Sequence, residues 1–374
     1  SRMSSAGGER RRTAQPDEFT AVVLGGEGCE EGLRLHNPMS VCPDGYGSLL
    51  VADTRNHRVL RWVAGSREAQ VLAGGHGKGR GLDHLHSPED VAVDSLGALL
   101  IADTRNHRVL RWIPGAAHGE VAAGGHGKGD LPDQLNWPSG VCPDGGGGVL
   151  VADSHNHRIM RWEAGAERGE VVAGGHGPGA GLHQLRCPRT VAIDNDGFLL
   201  IADSRNNRIV RWSPTAVKGD LFAGGSDGSG VDQLGLPEGV AVETSGAVLI
   251  ADTKNNRVLR WEPGAPSGEL CAGCGAAGLG RGYLSWPTRV STDASGLLFI
   301  ADSQNHRAVC CFPGGWVAEH TDVPRERRLS TNFGANARVE TTRAAPMLRP
   351  TKTSQRSSQR SSLTAEPAAQ AVLE

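Results

Sequence analysis

Apolar and polar residues alternate along this chain in short runs, and the arrangement returns about every fifty positions. The second copy shows its parts. Asp90 to Asp94 (DVAVD) alternates and ends at Ser-Leu-Gly, and Ala98 to Asp103 (ALLIAD) is a continuous apolar run. Thr104, Arg105 and Asn106 read as a turn. His107 to Trp112 (HRVLRW) alternates again, and Gly119 to Gly124 (GEVAAG) precedes a glycine-rich loop. Four such runs, bounded by Gly, Asn, Asp and Pro, predict four short strands. No stretch of about 12 residues or more in this region carries a helical period.

The unit recurs in register. ADTRNHRVLRW stands unchanged at 52–62 and 102–112, with close copies from Ala152, Ala202 and Ala251 and a worn sixth, ADSQNHRAVCC, from Ala301. A four-stranded antiparallel sheet repeated six times, unable to bury both faces alone, predicts an all-β, six-bladed β-propeller. The segment Phe19 to Gly26 (FTAVVLGG) matches the outer strands Gly169 to Gly175 and Gly268 to Cys274. It is expected to close the ring as the fourth strand of the last blade, which removes a free edge. Trp62, Trp112, Trp162, Trp212 and Trp261 share one repeat position, expected to pack between blades. Cys311 takes that place in the sixth copy.

Charge divides the chain. Of the total of −2, residues 1–16 carry +3 and residues 321–374 carry +4, which leaves the body at −9. The expected organisation is a basic disordered N-terminal segment over 1–16, the propeller over 17–320, and a disordered basic Ser/Thr/Arg-rich tail over 321–374. The body lacks the broad basic footprint usual in nucleic-acid binding. No apolar run is long enough to span a membrane and no signal peptide is visible. With no secreted-type spacing among the Cys, the expectation is reduced thiols and an intracellular, most readily cytoplasmic, protein. A chain that starts at Ser1 leaves an upstream domain open.

The turn Asp-(Thr/Ser)-x-Asn-(His/Asn)-Arg holds the first candidate residues. Its acid and base recur as Asp53/Arg58, Asp103/Arg108, Asp153/Arg158, Asp203/Arg208, Asp252/Arg257 and Asp302/Arg307. Six identical pairs read as structural: Asp can accept from the turn backbone, Asn tolerates the left-handed region, and the Arg fork suits a carboxylate. The third position holds Arg55, Arg105, His155, Arg205, Lys254 and Gln304. Turn chemistry demands no long cation there. A mostly cationic circle on one loop face is therefore the candidate binding site, for an acidic protein segment or a phosphate backbone. Solvated surface charge is the plainer alternative.

Other constellations carry less. GGHGKGRG from Gly74 and its copies lack the GK[ST] and helix of a P-loop. His76, His126 and His176 stand on adjacent blades, too far apart to share one ion unless all turn to the axis. Cys271 and Cys274 have the spacing of half a zinc site without a second half, and read as core substitutions. No cofactor and no metal ligand is assigned.

The Asn-His-Arg at 56–58, 106–108, 156–158 and 305–307, with Asn-Asn-Arg at 206–208 and 255–257, resembles the NHL-repeat family over roughly residues 19 to 312. The resemblance implies the propeller. For function it admits several activities. The reading taken is a non-catalytic binding or scaffolding propeller for a protein or peptide. An RNA-binding propeller, as in some TRIM-type proteins, is one alternative; the substrate-recruiting part of a ubiquitin ligase whose RING lies outside this chain is another. Propeller lyases and lactonases are the least favoured. In amidating lyases His near the axis bind metal, and here only His36 and His86 stand at the corresponding entry to the inner strand. Partner identity, oligomeric state and pathway are left open.

Overall fold

A computed structural model describes residues 22–26, 31–63 and 69–313. Six four-stranded antiparallel sheets follow one another around an axis. Blade 1 comprises Ser40–Pro43, Ser48–Asp53, Arg58–Val63 and Ala69–Gly74. Blade 2 runs from Asp90–Val93 to Glu120–Gly124, blade 3 from Pro138–Pro143 to Glu170–Gly174, and blade 4 from Pro188–Ile193 to Asp220–Gly224. Blade 5 runs from Gly239–Val242 to Glu269–Gly273. Blade 6 has Pro287–Thr292, Leu298–Asp302 and Arg307–Cys311, and its fourth strand is Val22–Leu24 from the other end of the chain. The closure read from the sequence is thus present, with Val22 opposite Cys310 and Leu24 opposite Ala308. Residues 19–21 and the segments 1–16 and 321–374 lie outside the described residues.

The core is a set of inter-blade layers. Leu50, Ala52 and Val59 of blade 1 meet Val91, Ile101 and Trp112 of blade 2, and the same pattern recurs around the ring. Each indole is buried in such a layer, and Trp112, Trp212 and Trp261 donate from Nε1 to the carbonyls of Ala116, Ala216 and Ala265 at 2.9–3.1 Å. A Cβ at Gly169 would stand 2.6 Å from the Trp162 ring, which is why glycine opens that outer strand. In the last layer Cys311 and Cys271 are buried together. Of the two cysteines expected in the core, Cys271 lies there, whereas Cys274 is only half-buried with Sγ directed to the Ala276 carbonyl. Among the described residues no group of three His, Cys, Asp or Glu converges to hold an ion, and no helix is long and apolar enough to cross a membrane.

Candidate functional site: a turn face over a closed axis

Two faces of the ring differ in how their cations are spent. On one face, the turns between first and second strands, each Arg of the third strand is paired within its own blade. Arg61, Arg111, Arg161 and Arg211 lie 2.6–3.0 Å from Asp44, Asp94, Asp144 and Asp194, and Arg260 lies 3.0 Å from Glu243. The other face carries the turns between second and third strands and the glycine-rich loops between blades.

There each turn is a single 3-10 turn preceded by a wholly buried Asp. Asp103 Oδ2 accepts from Arg108 Nε and from Asn106 Nδ2, both at 2.8 Å, while Oδ1 accepts from the backbone of His86 at 2.7 Å. All six Asp–Arg pairs close at 2.6–2.8 Å. Burial raises the carboxyls of Asp103, Asp153, Asp203, Asp252 and Asp302 above the ordinary carboxylate value, against the opposing pull of Asn, Arg and backbone N–H donors.

The guanidinium does more than meet its Asp. Only Nε is spent on the carboxylate. The outer nitrogens tie down the loop arriving from the preceding blade. Arg108 donates from Nη1 and Nη2 to the carbonyls of Arg80 and Gly81 at 2.9 and 2.7 Å. Arg158 reaches Asp130 and Gln134 at 2.8 and 3.1 Å, Arg208 reaches Ala180 and Gly181 at 2.8 and 3.0 Å, and Arg257 reaches Ser229 and Gly230, both at 2.7 Å. Arg307 repeats the contact with the carbonyl of Leu279 at 2.7 Å. Arg108, Arg158, Arg208, Arg257 and Arg307 are all buried, so none of them offers a surface to a partner. Arg58 of blade 1 keeps the same contacts, to Gly32 and Arg34, but is partly exposed.

The left-handed residue is not the Asn of the turn but the residue after it, His or Asn, at φ +50 to +56°. Its side chain crosses to the next blade. His57, His107, His157 and His306 accept through Nδ1 from the backbone N–H of Ser87, Trp137, Cys187 and Asn37 at 3.0–3.2 Å. Asn207 and Asn256 accept through Oδ1 from Leu236 and Trp286 at 2.9 Å. An imidazole Nδ1 and an amide Oδ1 play the same part here, and this explains the His/Asn exchange among the copies. The first residue of the turn reinforces the clasp: Thr54, Thr104 and Thr253 donate to the carbonyl of the following blade's proline, Pro88, Pro138 and Pro287, at 2.7–2.8 Å. Burial lowers the four His from their usual value, and nearby cations such as Lys78, Lys128 and Arg186 add to the effect.

Arg55, Arg105, His155, Arg205, Lys254 and Gln304 are all exposed on this face. They are not equivalent. Lys254 is held by Asp227 at 2.7 Å, and Gln304 receives Ser285 Oγ at 3.3 Å. Arg105 lies 5.0 Å over the ring of Trp137, whose other partner is the His155 imidazole, stacked 5.0 Å away and 9° from parallel. His36 and His86 do not converge: each stands edge-on to the turn His of the preceding blade, His306 and His57 respectively, at 5.2 and 5.6 Å. His76 and His126 turn back on the Asp83 and Asp133 carbonyls of their own loops. A cleft of about 520 Å³ at the seam of blades 6 and 1 is lined by Arg34, His36, Asn56, Arg58 and His306.

The axis itself is closed by charge. Arg289 of blade 6 crosses it. Nη2 lies 3.2 Å from Asp90 Oδ2 of blade 2 and donates to the carbonyls of Ser139 and Arg189 at 2.7 and 3.0 Å, while Nη1 donates to that of Glu238 at 2.6 Å. One side chain thus meets four other blades. Asp90 also accepts the Val141 N–H at 2.9 Å. Beside them, Arg189 of blade 4 bridges Glu89 at 3.1 Å and Glu238 at 3.6 Å. These carboxylates raise the Arg189 guanidinium, Glu238 most, and burial raises Glu89. A Cβ at Gly140 would stand 2.5 Å from the Arg189 carbonyl oxygen and 3.2 Å from Arg289 Nη2, so no slack remains there. Farther along the inner strands burial, followed by the charge of Asp90, pushes the Cys42 and Cys142 thiols up to about 12.

None of these axial residues was singled out from the sequence. The positions after the entry proline read Met39-Ser40, Glu89-Asp90, Ser139-Gly140, Arg189-Thr190, Glu238-Gly239 and Thr288-Arg289. Six unlike pairs in a chain that otherwise copies itself were the available signal.

Against known families, the NHL repeat model matches residues 85–112, 135–161, 185–212 and 234–261, which run through the turns of blades 2 to 5 just described. This chain carries NHL repeats in blades 2 to 5. No curated protein matches it as a relative. Among solved structures, the NHL propeller is similar to an auxiliary nutrient binding protein from Bacteroides ovatus at 12% identity and TM-score 0.58, over 79% of this chain and 77% of that one. It is similar to a putative gluconolactonase at 14% identity and TM-score 0.55, over 80% and 93%. A gluconolactonase from Xanthomonas campestris matches at 15% identity and TM-score 0.55, over 75% and 87%. Identities this low show the shared fold alone.

Proposed function

We propose that this NHL propeller is a non-catalytic binding module that holds a protein or peptide segment on its turn face. The observation that carries this reading is the closed axis. Arg289, Asp90, Arg189, Glu89 and Glu238 fill the position where the inner strands of the blades converge. What the fold leaves open is an exterior face whose variable turn residues have no part in the turn itself. Exposed charges contribute little to stability, so their value lies in recognition. The test is capture from native lysate by the wild-type chain and by a variant with Arg55, Arg105, Arg205 and Lys254 all changed to Ser, with and without nuclease. A nuclease-resistant protein partner lost from the variant supports the reading; a partner retained by the variant contradicts it.

RNA is the second reading, favoured by the exposed cations Lys78, Arg80 and Lys128 beside the turns. Phosphate contacts would show as nuclease-sensitive capture with affinity falling steeply in salt.

A further inference from the structure

The cations of the turn face are not evenly spread; they are denser over one half of it. Lys78 and Arg80 lie on the loop from blade 1 to blade 2, Lys128 and Arg186 on the next two loops, and Arg105 and Arg205 on the turns of blades 2 and 4. All six are exposed, and none makes an ion pair among the described residues. The acids in that half are Asp83, Asp130 and Asp133, and Asp83 is already bound to His84 at 2.8 Å. In the other half Asp227 neutralises Lys254, Gln304 is uncharged, and the exposed Arg34, Arg55 and Arg281 stand one to a loop or turn. The field of the cationic half is felt by its own histidines. His86 is lowered by burial and then by Arg105, Lys78 and Arg80; His155 by burial and then by Arg189, His157, Lys128 and Arg205. Trp137 is set in the middle, with Arg105 over its ring and the His155 imidazole stacked on it.

We infer that the half-face of blades 2 to 4 is a docking surface for an acidic protein segment, rich in Asp and Glu, which lies over Trp137 between Lys78 and Arg205. The inference rests on the binding reading above and narrows it to one sector and one chemistry. Charge complementarity selects the class: a cationic patch on a body of net −9 steers an acidic partner to itself while the remaining acidic surface repels it. Nucleic acid fits less well for a specific reason. Single-stranded recognition uses aromatic faces open to bases, and Trp137 already carries Arg105 and the His155 imidazole against its ring.

The test uses the full chain and a fluorescent Asp/Glu-rich peptide, followed by anisotropy at low salt, with an oligouridylate of equal charge as the competitor class. Changing Lys78, Arg105 and Arg205 together to Ser should weaken peptide binding by about tenfold or more, while changing Lys254 and Arg281 to Ser should leave it within about twofold. Absence of saturable peptide binding, equal losses in the two variants, or tighter binding of the oligouridylate would each overturn the assignment. If that happens while the fourfold Ser variant still loses its lysate partner, the face remains the site and only the acidic sector falls. A partner kept by the fourfold variant removes the face as well.

Discussion

Arg289 and Asp90, 199 residues apart, meet across the propeller axis with Nη2 3.2 Å from Oδ2. Neither is exposed, and the guanidinium also serves carbonyls of blades 3, 4 and 5. A repeat protein normally joins each unit to its neighbours alone. This pair joins units that are not neighbours in the ring.

Removing one partner should therefore cost far more than removing both. Arg289→Met leaves a buried carboxylate without its counter-charge, a loss of about 3–5 kcal/mol. Adding Asp90→Asn should restore a large part of it. Urea unfolding of the three proteins measures this. A single variant as stable as the wild type would mean that the axial pair contributes no closure.

The His clasps predict a pH dependence. In the fold, His57, His107, His157 and His306 accept a backbone N–H at Nδ1, and all four are lowered from 6.5. The folded state thus binds fewer protons than the unfolded one. The stability this contributes is complete above the unfolded value and is lost as pH falls from about 6.5 through the lower folded values. Melting temperature should drop between about pH 7 and pH 5. Replacing the four His by Asn, the residue already used at 207 and 256, should keep the clasps and flatten that drop. Equal slopes in both proteins would show that the clasps do not titrate with stability.

Within one turn, two neighbouring arginines should behave in opposite ways. Arg108 is buried on Asp103 and on loop carbonyls, so Arg108→Ser should cost about 3–5 kcal/mol. The same loss is expected at Arg158, Arg208 and Arg257, which are buried on the same partners in their own blades. Arg105 is exposed and rests on the Trp137 ring, so Arg105→Ser should cost about 1 kcal/mol or less. Thermal melts of these variants separate the structural from the recognition role, and similar melting temperatures would erase the distinction.

The architecture was legible because the blade is a local pattern. The alternation, the turn residues and the matching outer strand at residues 22–24 all lie within one repeat or its copy. The turn pairs were legible for the same reason, since Asp103 and Arg108 are five residues apart. Their second duty was not: the carbonyls that Arg158, Arg208 and Arg257 hold lie 24–28 residues upstream, on a loop whose path only the fold fixes. What the copies do not share was harder still. The axial residues lie next to each other only after six inner strands converge, and Glu89, Arg189 and Glu238 look like ordinary strand-edge charges in sequence. The circle of turn cations was read from equivalence, but equivalence of position does not carry equivalence of neighbours. Asp227 silences Lys254, whereas Arg105 lies over Trp137.

The closing strand gives a further expectation. Deleting residues 1–26 strips Val22–Leu24 from Arg307–Cys311 and removes Leu24 from the layer around Trp62 and Ala308. An unpaired edge and an opened core should make the truncated chain melt well below the full chain or aggregate. Equal melting of the two forms would refute ring closure by this strand.

The central claim is that ligand binding belongs to the turn face and not to the axis or the opposite face. Amide hydrogen exchange of the chain, free and with its captured partner bound, tests it most directly. The account predicts added protection at the turns around Arg105 and Arg205 and along the loops holding Lys78 and Lys128, with the turns Asp94–Gly97 and Asp144–Gly147 unchanged. Protection confined to those opposite turns would contradict it.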